Sequence, residues 1–138
     1  MPMRALWVGA SLVVMVVGAV GPWATAVGIT VHGTDGGRDG WYVIGAAGVS
    51  ALLLLIYARA RRRWLLLIPL LAGLAMSAGV AYDLVDIRTR FAGSVLGGNE
   101  LISADWGIYL ALVGCVSLAV GAVALAVRPA RRPGPVPA

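Results

Sequence analysis

The sequence predicts an all-α integral membrane protein: a bundle of four transmembrane helices, both termini cytoplasmic, with a short β-hairpin in the first outer loop. Three observations carry that prediction. Of 138 residues, 60% are hydrophobic and 12% charged, with mean hydropathy +0.90, more apolar surface than so short a chain can bury against itself. Four stretches are long and apolar enough to cross the hydrocarbon core. The eleven basic residues, all arginine, are also unevenly divided between the two sides those stretches define.

The spans run over about 5–21, 41–58, 64–84 and 107–127, the first ending before Pro22 and the last stopped by Arg128-Pro129. None has an ionisable residue near its middle, and each is too uniformly apolar to be an amphipathic helix of a soluble protein. Residues 1–128 therefore form one transmembrane domain. The remainder, 129–138, is a basic, proline-rich tail expected to be extended and disordered, with Arg131 and Arg132 near anionic headgroups.

Orientation follows from the arginines. Arg4, then Arg59, Arg61, Arg62 and Arg63, then Arg128, Arg131 and Arg132 fall on one side, with no acid among them. The other side carries Arg38, Arg88 and Arg90 together with all six acids: Asp35, Asp39, Asp83, Asp86, Glu100 and Asp105. The positive-inside rule makes the first side cytoplasmic, with Arg59, Arg61, Arg62, Arg63, Arg128, Arg131 and Arg132 as charge anchors. One rival exists. Residues 1–26 resemble a secretory signal that could be cleaved near Ala26, but the apolar run exceeds the usual signal core of roughly 7–15 residues, so a retained helix is expected. The net charge of +5 is thus a topology signal, and no nucleic-acid partner is expected. Exclusive arginine use with abundant Ala, Val and Gly suggests a GC-rich bacterial genome, which places the protein in a bacterial cell membrane.

The aromatics fall at the same boundaries. Trp7 and Trp64 lie at cytoplasmic span ends and Trp23, Trp41 and Trp106 at outer ends, as interfacial anchors do. Tyr42, Tyr82 and Tyr109 join the outer set and Tyr57 the inner one. Within the spans, small residues mark faces for close helix contact: Gly45, Gly48 and Ala51; Gly73 with Ser77 and Ala75 with Gly79; Gly114, Ser117 and Gly121. Whether these contacts lie within one bundle or between copies is open. Asp39 and Asp105, each just before a span, are expected to cap the helices they precede.

The segment from His32 to Gly40, His-Gly-Thr-Asp-Gly-Gly-Arg-Asp-Gly, is the most distinctive. Its glycines suit a tight reversal, and the alternation of Ile29-Thr30-Val31-His32 suggests a strand leading into it. Asp35 and Asp39 there, with Asp83 and Asp86 three apart on one helical face, form a candidate site for a hard cation such as calcium, although the spacing matches no calcium loop. The plainer reading is helix capping and ion pairs to Arg38, Arg88 and Arg90. A lone His32 lacks the second nitrogen ligand that zinc or haem would need, and a lone Cys115 in an apolar span is a packing residue. Ser11, Ser50, Ser77 and Ser117 have no histidine or acid deep enough to activate them. No enzymatic activity and no cofactor are expected.

Pro22-Trp23-Ala24, Gly33-Thr34-Asp35-Gly36, Gly40-Trp41 and Tyr82-Asp83-Leu84-Val85-Asp86 form an ordered series. On these residues the chain resembles a group of small, uncharacterised four-helix integral membrane proteins of actinobacteria, over about residues 5–127. The resemblance implies topology and carries over no catalytic residue. Trp23 in the first loop also resembles claudin-like four-helix proteins, whose paired loop cysteines this sequence lacks. The expected role is that of a non-enzymatic accessory protein, its partners the lipid bilayer and another membrane protein or a second copy of itself. Two alternatives stand beside it: a small oligomeric transporter or channel with an acidic outer vestibule, and an external ligand or metal sensor.

Overall fold

A computed structural model describes residues 2–26, 28–35, 39–60, 62–92 and 102–127. Four helices dominate it: α1 (Pro2–Val20), α2 (Gly40–Ala60), α3 (Leu67–Ala92) and α4 (Trp106–Ala126). Each contains a stretch long and apolar enough to cross a membrane. At about 1.5 Å per residue, helices of this length match a hydrocarbon core of roughly 30 Å. The chain is a multi-pass membrane protein. The basic tail at 129–138, with Arg131 and Arg132, and the anchors Arg61 and Arg128 lie outside the described residues.

Helix α4 sits between α1 and α3, and α2 closes the ring by packing, more sparingly, against α1 and α3. Lipid removes the hydrophobic drive between helices, so close packing must hold them together. The α1–α4 contact achieves this through glycine. Gly18 brings the α1 backbone against Ala111, where a Cβ would collide with the Ala111 amide. A Cβ on Gly114 would stand 2.6 Å from the Met15 nitrogen, and one on Gly121 would stand 2.7 Å from Val8 Cγ2. Thus Gly114, Ser117 and Gly121 do form an intrachain packing face. Hydroxyls add to it: Ser117 Oγ accepts from the Trp7 indole at 2.7 Å and bonds Ser11 Oγ at 2.8 Å, while Ser11 Oγ also reaches the Trp7 carbonyl at 2.9 Å. Between α3 and α4 the close approach falls at Gly73, beside the Cys115 carbonyl and the Ala119 amide. Met15, Val43, Val80, Ile108, Cys115 and Leu118 fill the core.

Arg4 fixes which ends meet. Its Nη1 donates to the carbonyls of Ala124 at 2.8 Å and Val127 at 3.2 Å, satisfying terminal carbonyls of α4 from the start of α1. The beginning of α1, the end of α4 and the α2–α3 link therefore share one end of the bundle, called here the arginine end.

The opposite end carries a three-stranded antiparallel sheet of β1 (Pro22–Ala26), β2 (Ile29–His32) and β3 (Ile102–Ala104), in the order β2-β1-β3. A β-hairpin is present in this segment and Ile29–His32 is one of its strands, as expected, but the hairpin turn precedes that strand and does not follow it: Gly28 occupies it at φ +81°, a conformation that favours glycine. The third strand, drawn from the second outer segment, was not anticipated, because three residues are too few to show alternation. Between Pro22 and Ala24 the register shifts: β1 advances two residues while β2 advances one, from His32 to Val31. Such a bulge re-aims a side chain, and here the extra residue is Trp23. This corrects the interfacial assignment. Trp23 is fully buried, its indole donates to the Gly18 carbonyl at 2.9 Å, and Gly33 packs directly on its ring. Tyr57, placed in the inner belt, is likewise buried.

Two span boundaries also change. A 3-10 turn at Arg63–Leu66 precedes α3, burying Leu65 and Leu66 beside Tyr57, and Pro69 occupies the first turn of α3, where a missing N–H costs nothing. At its other end α3 continues to Ala92 rather than stopping near 84. Charged residues such as Asp83 and Asp86 do not interrupt a helical ladder, so α3 runs on past Ile87, where its apolar stretch ends.

If glycine sets the α1–α4 spacing, Gly114→Ala costs about 1–3 kcal/mol by overpacking. Gly9→Ala, whose Cβ meets nothing within 4 Å, leaves stability unchanged or slightly raised. Thermal unfolding in detergent compares them, and equal midpoints would contradict the packing account.

Candidate functional site

Because the spans are almost wholly apolar, the polar groups that could recognise another molecule collect at the two ends of the bundle, with Asp35, Asp39 and Asp105 at the sheet end. Asp105 ties that end together. Its Oδ1 accepts from the Trp106 amide at 2.8 Å, capping α4 as expected, and its Oδ2 accepts from Thr25 Oγ1 of β1 at 2.8 Å. Its own amide donates to the Trp23 carbonyl at 2.9 Å. One residue thus joins a helix start, a strand and the bulge.

The His32–Asp39 segment wraps over the start of α2. The Gly40 amide donates to the Gly33 carbonyl at 3.0 Å, and the Trp41 indole donates to the Thr34 carbonyl at 3.0 Å. Asp35 turns back on its own loop, its Oδ2 accepting from the His32 amide at 2.7 Å and lying 3.3 Å from His32 Nδ1. The Asp39 carbonyl accepts from the Val43 amide at 3.0 Å, and the Asp39 carboxylate lies beside Gly79 of α3.

These positions remove the cation site proposed on Asp35, Asp39, Asp83 and Asp86. Among the described residues, no three His, Cys, Asp or Glu side chains come close enough to hold a metal ion. Asp35 is committed to a local turn, and Asp83 and Asp86 have partners of their own. Sequence spacing put Asp83 and Asp86 on one helix face but could not place the first outer segment against them.

The aromatics that remain candidate anchors are Trp7, Trp41, Trp64 and Trp106, all exposed near helix ends, with Tyr42 and Tyr82. Arg59, Arg62 and Arg63 are exposed at the arginine end. Trp7 and Trp41 both have their N–H satisfied inside the protein, by Ser117 Oγ and by the Thr34 carbonyl.

A second surface lies along α2. Gly45 and Gly48 face outward, and a Cβ built on either meets nothing within 4 Å. Gly18, Gly73, Gly114 and Gly121 are spent within the bundle, whereas this pair on α2, like Gly9 on α1, is not. On its inner side α2 is imperfectly satisfied. The hydroxyls of Ser50 and Tyr57, seven residues apart, are buried without a hydrogen-bond partner among the described residues, which costs roughly 1–3 kcal/mol each.

Compared with family models, with curated proteins and with solved structures, the chain finds no match in any of the three. Its function is argued from its own geometry.

If Asp105 couples α4 to the sheet, Asp105→Ala costs about 1–2 kcal/mol. A double-mutant cycle with Thr25→Val, read by thermal unfolding, returns a coupling of about 0.5–1.5 kcal/mol. Additive single effects would show that the two ties are independent.

Proposed function

We propose that this protein is a non-enzymatic accessory protein of a bacterial cell membrane, which binds another membrane protein through the lipid-facing side of α2. The observation that carries the reading is the outward placement of Gly45 and Gly48. In a bilayer, glycine on a lipid-facing surface forgoes side-chain contact and helix propensity, and it lets a second helix approach closely. α2 is also the helix least engaged by its own bundle, with two buried hydroxyls on its inner face that find no partner among the described residues. A helix so loosely held can adjust to a partner. Exposed Trp41 and Leu52 flank the two glycines and would frame such a contact.

The proposal includes orientation. The arginine end is cytoplasmic and the sheet faces outside, since Arg4, Arg59, Arg62 and Arg63 gather at that end and the sequence adds its other flanking arginines beside the same spans. The spans carry no midplane charge for ion coupling and no activated nucleophile, which favours interaction over transport or catalysis.

Two measurements test this. Purification of tagged protein from its native membranes in mild detergent yields a stoichiometric membrane partner. Gly45→Leu with Gly48→Leu loses that partner while keeping the wild-type unfolding midpoint, because both positions open on empty space. Retention of the partner by the double variant, or recovery of the protein alone, overturns the reading. For orientation, a cysteine at Asp35 in a Cys115→Ser background is labelled by a membrane-impermeant maleimide in intact cells, and one at Arg62 is labelled only after lysis.

A further inference from the structure

Where α1 and α2 approach the arginine end they draw apart, leaving a cleft of about 570 Å³ between them. That volume falls within the roughly 300–1,000 Å³ of small-molecule sites. Its walls are apolar, mixing small residues with leucines: Ala5, Gly9 and Leu12 on α1 face Ala51, Leu54 and Ala58 on α2. From Ala5 to Leu12, or from Ala51 to Ala58, the cleft extends about 10 Å along the helices, within the roughly 15 Å of hydrocarbon in one leaflet. A Cβ on Gly9 would meet nothing within 4 Å, so the hollow is not filled by the chain itself.

We infer that this cleft holds one acyl chain of an anionic phospholipid from the leaflet at the arginine end, its phosphate bound by the arginines at the cleft mouth. The charge at that mouth selects the occupant. Arg59 directly follows cleft-lining Ala58, and Arg62 and Arg63 come within the next turn of chain. All three are exposed, and among the described residues none of them is ion-paired. An apolar slot within one leaflet, followed in the chain by guanidinium groups that no described acid pairs, matches a hydrocarbon chain ending in a phosphate; Arg binds phosphate through paired N–H donors. A transmembrane helix would match the slot but not the charge, since its backbone brings no anion to that depth.

Native mass spectrometry tests the inference on the full-length protein, purified in mild detergent and incubated with equal amounts of phosphatidylglycerol and phosphatidylcholine. The wild type retains one phosphatidylglycerol per chain. Gly9→Leu, which fills the cleft without displacing a neighbour, loses retention of both lipids while keeping its unfolding midpoint. Arg59→Gln, Arg62→Gln and Arg63→Gln each reduce the preference for phosphatidylglycerol by about five-fold without abolishing lipid retention. Equal retention of the two lipids by the wild type, or retention that Gly9→Leu leaves unchanged, overturns the inference. So does a lipid-free dimer that Gly9→Leu dissociates, which would make a second copy the occupant.

Discussion

The close approach of α1 and α4 is the constraint on which the rest of this molecule depends. In water an apolar helix pair is driven together by the surface it removes from solvent; in lipid that drive is gone, and packing and hydrogen bonds must hold the pair. Gly18 against Ala111 and Gly114 against Met15 bring two backbones into direct contact. The serine pair and the Trp7 indole then find one another across the seam, and Arg4 can reach the last carbonyls of α4. Glycine is helix-destabilising by about 1 kcal/mol relative to alanine, and here that cost is offset by contacts no larger residue would allow.

From this seam the sheet end follows. With the end of α1 and the start of α4 held side by side, the segments leaving them lie close enough for β1 and β3 to pair, although nearly 80 residues separate them in sequence. The bulge at Trp23 uses the same proximity: it turns the indole inward to the α1 carbonyl at Gly18, the very glycine that admits α4. Asp105 closes the arrangement. The two segments at the sheet end are thus one folded cap and not two independent loops. α2 has no comparable tie to α4, and its Gly45 and Gly48 and the cleft beside α1 stay uncovered by the described residues.

Much of this was legible in the residues. Four apolar stretches and the alternation of residues 29–32 are local features, and the helices and β2 formed where they pointed, while the hairpin turn at Gly28 fell ahead of the glycine-rich segment expected to hold it. The asymmetry of the arginines is equally plain, although orientation relative to the cell is a matter of partners and translocation, not of fold. What escaped is what depends on distance in sequence. Trp23 reads as a boundary tryptophan until a bulge turns it inward. Ile102-Ser103-Ala104 carries no strand signal and pairs only because β1 is presented to it. Glycines look alike in sequence, yet Gly114 is pressed on backbone while Gly48 faces open space. The four aspartates shared a side of the membrane but not a site, because Asp35 had a nearer partner in His32.

The claim with most at stake is that the lipid-facing side of α2 is an interface. A photo-crosslinking residue placed at Gly48 in the full-length protein, activated in living cells of the native host, tests it most directly. The account predicts a single discrete protein adduct from Gly48, and only lipid adducts from Val113, an exposed position on α4. Lipid adducts alone from both positions would contradict it, leaving α2 as a helix that faces only the bilayer.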